Sequence, residues 1–165
     1  MIVEVTEREL AEAARIHAES WQESHRSFCT PEFLALHSVQ HQKEYLRGEQ
    51  AQGKKLYMLV EREGPVGIVS VQENLIENLY VLPCAQKKGY GSRLLQYAME
   101  QCTETPVLWI LEHNTGAYRL YYRRGFRKTG RRNCLTPDLW EIKLQYSPTA
   151  AQQQALCEGV SVFTF

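Results

Sequence analysis

The chain has 165 residues, 44% hydrophobic and 23% charged, with 19 basic and 19 acidic side chains and no formal net charge. That length suits one domain with a real core, and the composition lies in the range of ordinary soluble globular proteins. Neutrality argues against a dedicated nucleic-acid binder, and no run approaches the ~20 apolar residues that a membrane helix needs.

The start, Met1-Ile2-Val3-Glu4-Val5-Thr6-Glu7, is acidic and lacks the basic and apolar regions of a secretory signal. Five cysteines (Cys29, Cys84, Cys102, Cys134, Cys157) are scattered, odd in number and without metal-type pairing. They read as reduced thiols in a cytoplasmic protein, and no metal site is expected.

Ile2 to Val5 can form a short first strand. Thr6 and Glu9 make a capping box that opens a helix. Leu10, Ala13, Ala14, His17 and Trp21 follow on one face of it. His17 reads as a packed core histidine rather than a ligand, because no partner at metal spacing accompanies it. Thr30-Pro31-Glu32 starts a second helical piece with a cap, an N1 proline and an acidic first turn. Ser38 caps a third helix running toward Arg47, where Gly48 can end it. Trp21, His25 and Phe28 are candidates for a substrate rim, although packing explains the aromatics equally well.

From Leu56 the pattern changes to strands: Leu56–Glu61, Val66–Val71 and Leu75–Leu82. The links Arg62-Glu63-Gly64-Pro65 and Gln72-Glu73-Asn74 are so short that these strands must be antiparallel neighbours. Pro83 stops the third. Gln86-Lys87-Lys88-Gly89-Tyr90-Gly91-Ser92 then leads into Leu94, Leu95, Ala98 and Met99 at helical spacing. Glycine lets backbone approach a ligand, and the first amides of a helix lack partners within it. Together with the helix dipole they form a site for phosphate, and Lys87, Lys88 and Arg93 add mobile positive charge. The ligand this suggests is a phosphorylated cofactor; an ordinary glycine turn between strand and helix is the plain alternative. The loop lacks the Gly-Lys-Ser/Thr of a nucleoside-triphosphate site and the third glycine and acidic ribose ligand of a dinucleotide site.

Pro106–Leu111 is another strand, expected to return parallel in a right-handed crossover, so the sheet is mixed and its parallel pair straddles the phosphate loop. Asn114 caps a helix through Arg124, with Gly125 at its C′ position. Phe126–Arg131 and Leu139–Tyr146 form the last strand pair, with Trp140, Ile142, Leu144 and Tyr146 alternating onto one face. Between His113 and Pro137 there is no acidic residue, while Arg119, Arg123, Arg124, Arg127, Lys128, Arg131 and Arg132 are basic. That run is either a solvated face or an attractor for a polyphosphate. The tail from Ser147 is a polar Ala/Gln stretch ending in Gly159-Val160-Ser161-Val162-Phe163-Thr164-Phe165. So apolar an end is expected to dock on a sheet edge or a subunit interface, which makes a homodimer an expectation.

The stretch from Gln86 to Gly91 resembles the Gln/Arg-x-x-Gly-x-Gly/Ala signature of the GNAT superfamily of acetyl-CoA-dependent N-acetyltransferases. Asn114 to Phe126, which reads Asn-x-x-Ala-x-x-x-Tyr-x-x-x-Gly-Phe, is similar to a later motif of the same family and follows at the expected distance. The resemblance covers about Val3 to Tyr146 and is strongest from Ile76 to Phe126. It implies an α/β (α+β) fold, a mixed, splayed sheet of about seven strands flanked by helices. It also implies a single acetyltransferase domain over residues 1–146, followed by a C-terminal tail over 147–165. The implied activity moves an acetyl group from acetyl-CoA, as cosubstrate, directly to a primary amine of a small molecule, peptide or protein. A non-catalytic CoA-binding or regulatory module of the same fold is the alternative.

By the same resemblance, the backbone of Gln86, Lys87, Lys88, Gly89, Tyr90, Gly91 and Ser92 would hold the CoA pyrophosphate. The pantetheine arm would pair with Leu79, Tyr80 and Val81, and a bulge there could free an N–H near Val81 to polarise the thioester. Asn114 would contact the pantetheine region, or serve only as an N-cap. Tyr121 is the candidate general acid for the CoA thiolate; Tyr118, Tyr121 and Tyr122 are expected to share a helix face, so packing competes as an explanation. Glu77 is the candidate base, being a carboxylate within an apolar run, unless it points to solvent. Cys84 has no His/Asp partner pattern, which disfavours a covalent route. Nucleic-acid binding through Arg119–Arg132 is disfavoured by the absence of stacking positions and of net charge.

Overall fold

The computed structural model describes residues 1–27 and 29–157, and of Leu156 and Cys157 only the backbone. The chain divides into two compact units, Met1–Thr103 and Glu104–Phe165.

In the first unit β1 (Ile2–Glu4), β2 (Lys55–Glu61), β3 (Gly64–Gln72) and β4 (Leu75–Val81) pair antiparallel in that order. The links Arg62-Glu63 and Glu73-Asn74 are tight, and the left-handed φ of Gly64 (125°) and Glu73 (56°) makes them so. β3 therefore begins two residues before the expected Val66, absorbing Gly64 and Pro65. α1 (Leu10–His25) packs on β3 and β4, α3 (Val39–Ala51) on α1 and β2, and α4 (Tyr90–Gln101) on β3 and β4. Leu10 and Ile16 of α1, Leu56, Leu59, Ile68 and Val69 of the sheet, and Leu94 and Leu95 of α4 are fully buried. Gly67 makes the α4 contact possible: a Cβ there would lie 2.7 Å from Leu94 Cδ1 and 2.9 Å from the Tyr80 carbonyl oxygen. By strand alternation Ser70 faces the opposite side, toward α1.

The helix ends follow their local chemistry. Half of the expected capping box forms: the Glu9 carboxylate accepts from Thr6 N–H at 2.9 Å and from Thr6 Oγ1 at 2.6 Å, while Thr6 Oγ1 makes no cap bond to Glu9. Thr30 caps α2 (Pro31–Leu36) through Phe33 N–H, and Ser38 caps α3 through His41 N–H. α3 does not stop at Gly48 but runs through it. It ends in a Schellman motif, in which Gly53 (φ 96°) donates to Gln50 O at 3.0 Å and Lys54 N–H to Glu49 O at 3.1 Å. Gly53, not Gly48, supplies the left-handed residue that termination needs.

In the second unit β7 (Leu139–Tyr146) lies between β5 (Val107–Leu111) and β6 (Phe126–Thr136), antiparallel to both. β6 extends past the expected Arg131, because the tight Pro137-Asp138 link pairs Thr136 with Leu139 and Gly130 (φ 89°) absorbs a register shift. Phe126, Leu108 and Leu144 form the core with Ile110, Ile142 and Tyr121, all buried. α5 (Thr115–Arg123) ends at Gly125 (φ 96°), where a Cβ would meet Tyr146 Cε2 at 2.9 Å and Pro148 Cβ at 3.0 Å. α6 (Ala150–Cys157) begins with its own capping box, Thr149 and Gln152 bonding reciprocally. Gln152 also donates to the Tyr122 and Arg123 carbonyls and accepts from Arg127, so the start of the tail docks on the end of α5. The apolar end of the tail, on which the homodimer expectation leaned, lies outside the described residues. Among the described residues no helix is long and apolar enough to cross a membrane.

Candidate active site

β4 hands over to a single 3-10 turn, Pro83–Ala85, and then to the glycine loop. Lys87 (φ 62°) and Gly89 (φ 82°) both take left-handed backbone, and Gly89 is the residue from which α4 springs. No side chain caps α4 and its first turn holds no acidic residue, so the amides of Tyr90, Gly91 and Ser92 face outward at the positive end of the helix. A Cβ built on Gly89 would meet nothing within 4 Å. Glycine is needed here for its φ, and the space above the helix end is open to a ligand. Lys87 and Lys88 are exposed. Arg93 is not mobile charge, as the sequence suggested: Glu61 holds it at 2.6 Å. Gln86 ties the loop to the strand by donating to Val81 O at 3.1 Å, and Ser20 of α1 donates to the same oxygen at 3.2 Å. An uncapped, glycine-started helix end with two exposed lysines suits a diphosphate.

The bulge expected on β4 is present, but upstream of Val81. Ile68 pairs with Tyr80 and Ser70 with Glu77, so Asn78 and Leu79 together oppose Val69. Asn78 takes φ 51°, a conformation asparagine tolerates better than most residues. Its Nδ2 donates to Ser70 Oγ at 2.9 Å, and Ser70 Oγ donates to Glu77 O at 3.1 Å. Sequence reasoning missed Asn78 and Ser70; an asparagine inside an apolar strand was the available signal.

A polar seam runs beside this bulge. Gln42, Tyr45 and Glu49 recur along α3 at helical spacing, and His17 of α1 meets the first two. The His17 ring stacks on Tyr45 at 5.6 Å and meets Tyr80 edge-on at 4.7 Å. His17 is only 4% exposed, and its Nδ1 has no hydrogen-bond partner among the described residues. Burial pushes its pKa down to about 4, against the opposing pull of Gln42 and Asn78. It is the core histidine the sequence suggested. Glu77 neither points freely to solvent nor stands unpaired: its carboxylate holds the Lys54 ammonium, which Glu49 holds as well. Burial works to lower the Lys54 pKa, but the bonds to Glu49 and Glu77 prevail and raise it. Of the rim candidates, Trp21 is stacked between His25 at 3.9 Å and His37 at 3.6 Å; Phe28 lies outside the described residues.

The two remaining candidates belong to the second unit. Asn114 is the N-cap of α5, its Oδ1 accepting from Ala117 N–H at 3.1 Å. Tyr121 turns into the core, edge-on to Phe126 at 5.9 Å, and burial pushes its pKa up to about 12. The expected shared face does not hold: Tyr118 and Tyr122 pair with each other at 5.9 Å, and Tyr122 is exposed. Lys128 lies over Tyr118 at 4.9 Å, Arg127 over Tyr122 at 4.0 Å and Arg132 over Trp140 at 4.3 Å, so part of the basic run caps aromatic rings. Cys84 is exposed and its thiol is free.

Comparison with known proteins follows the same lines. Residues 52–128 match the model of the acetyltransferase (GNAT) domain. The fold is similar to the PaiA N-acetyltransferase of Thermoplasma acidophilum, solved in complex with coenzyme A, at TM-score 0.67 and 17% identity, over 88% of this chain and 98% of that one. A GNAT-family acetyltransferase of Bacillus cereus superposes at 0.69 with 15% identity, over 90% and 97%. YncA of Salmonella typhimurium, solved with its cofactor acetyl-CoA, does so at 0.63 with 18%, over 90% and 94%. The fold class is therefore the expected one, α/β with a mixed seven-stranded sheet flanked by helices. The domain match thus covers residues 52–128, and across nearly nine-tenths of its length the chain shares its fold with acetyltransferases of the GNAT family.

Proposed function

We propose that the protein transfers the acetyl group of acetyl-CoA directly to a primary amine of a small molecule, peptide or protein, with residues 1–146 working as one domain. The observation that carries this is the uncapped helix end at Gly89, directly downstream of a bulged strand. Acetyl-CoA supplies the activated thioester. The backbone from Gln86 to Ser92 grips its diphosphate, and Lys87 and Lys88 add charge. Leu79, Tyr80 and Val81 align the pantetheine arm as an added strand would, and Asn114 contacts that arm while capping α5. An N–H released at the bulge polarises the thioester carbonyl. The free thiols of Cys29, Cys84, Cys102 and Cys134 support a cytoplasmic setting. Neither a nucleic acid nor a membrane is part of the proposal.

Glu77 takes the proton of the acceptor amine, in exchange for Lys54. The demand on it depends on the acceptor: about 1.4 kcal/mol deprotonates an α-amine at neutral pH, and about 4.6 kcal/mol a lysine-type amine. Tyr121 serves the departing thiolate. With its pKa at about 12, full proton transfer to a thiolate of pKa ~8.5 is uphill by about 5 kcal/mol. Its contribution is therefore a hydrogen bond that stabilises the leaving sulfur.

One observation favours the second reading, a CoA-binding module without turnover. Both proton-transfer candidates are compromised, Glu77 by its ion pair and Tyr121 by its burial. Calorimetry with CoA and thiol release across a panel of amines separate the two. Heat with thiol release is the expected result. Heat alone favours the module, and no heat ends the proposal.

A further inference from the structure

We propose that Lys54 is itself an acetyl acceptor, modified by the domain that carries it. Its ammonium stands against the Glu77 carboxylate, where any acceptor amine must stand to give that carboxylate its proton. The inference rests on the acetyl-transfer reading above and assigns that site an internal substrate.

The placement is built in from several directions. The Schellman motif that ends α3 fixes the Lys54 backbone on the Glu49 carbonyl, directly after Gly53. The side chain is 9% exposed and reaches across to β4. Glu77 is fixed in turn, because Ser70 holds its carbonyl and Ser70 also holds Asn78, the bulged residue beside it. The amine is thus held by the residue that directly precedes the bulge. Lys55, Lys87 and Lys88 are exposed and make no ion pair with Glu77.

The step balances without a further reagent. One ammonium proton passes from Lys54 to Glu77, and the nitrogen bonds to the acetyl carbon as the carbon–sulfur bond breaks. The nitrogen's next proton leaves with the sulfur as CoA thiol, and Glu77 releases its proton to water. Acetylated Lys54 carries no charge, so Glu49 and Glu77 are left as two uncompensated carboxylates, a pair that attracts an external ammonium. Modification of Lys54 thereby opens the site to a cationic acceptor.

The test incubates the full chain with acetyl-CoA and no amine, follows intact mass, and maps the modified peptide; CoA binding is measured separately by calorimetry. A single acetyl group on Lys54, absent from Lys54→Arg and slowed at least about tenfold by Glu77→Gln with CoA binding retained, is the expected result. Binding of CoA with Lys54 unmodified overturns this inference and leaves acetyl transfer to other amines standing. It is overturned equally if acetyl groups spread evenly over Lys55, Lys87 and Lys88, or if Glu77→Gln acetylates Lys54 at the full rate. Absence of CoA binding overturns both proposals together.

Discussion

Acidification should destabilise the fold through His17 in particular. Its imidazole is 4% exposed, and its pKa falls from 6.5 to about 4 in the folded chain because burial disfavours the charged form. A depressed folded pKa leaves stability intact above the unfolded value. It removes stability as pH falls from there through the folded value, because only the unfolded chain binds the proton readily. Between about pH 7.5 and about pH 5, linkage with these two pKa values gives a loss of about 2 kcal/mol from this one side chain. The assay is urea denaturation at both pH values for the wild type and His17→Phe. The variant lowers stability at both, but the comparison lies in the difference between pH values, which cancels the other histidines and the carboxylates. The wild type should lose about 2 kcal/mol more than the variant on acidification. Equal losses would show that His17 is hydrated or protonated in the native state and would refute the argument.

Three further outcomes follow from single side chains. Tyr121→Phe removes only a hydroxyl and keeps the ring against Phe126, so the fold and CoA binding should persist while turnover falls about tenfold or more; undiminished thiol release would remove Tyr121 from the mechanism. Gly89→Ala has room for its methyl group but must hold φ near 82°, at about 1–2 kcal/mol. It should weaken CoA binding in a titration, and unchanged affinity would mean the loop does not grip the cofactor. Gly67→Ala drives a methyl into Leu94 Cδ1 at 2.7 Å and the Tyr80 carbonyl at 2.9 Å, which should cost about 1–3 kcal/mol by denaturation. A neutral result would show that α4 does not press on β3 as described.

The parts legible in the sequence are those whose cause is local. Short links force β2, β3 and β4 into antiparallel neighbours, and Ser38, Thr30 and Asn114 each cap the helix that follows them. Gly89 starts a helix because its own φ allows it. Where two local signals compete, their order along the chain misleads: Gly48 and Gly53 can both end a helix, and only the bonds from Gly53 and Lys54 back to α3 decide between them. Tyr121 could not be separated from its neighbours by spacing, since the face it presents depends on where Phe126 lies.

Electrostatic pairing between distant parts of the chain is the illegible part, and it matters most for the chemistry. In the sequence Glu77 stands as an isolated carboxylate in an apolar run, which would make it costly to bury and apt to act as a base. Its partner Lys54 lies 23 residues away. It arrives only because α3 overruns Gly48 and ends at Gly53, a choice that also brings Glu49 to the same ammonium. A one-turn error in a helix terminus therefore hides the counter-ion of the proposed base. The same geometry links a backbone cap to the reactivity of the site: a substitution that shifts the end of α3, such as one at Gly53, should free Glu77 without touching it. That coupling would register as a changed pH dependence of transfer in a protein whose loop and bulge are intact.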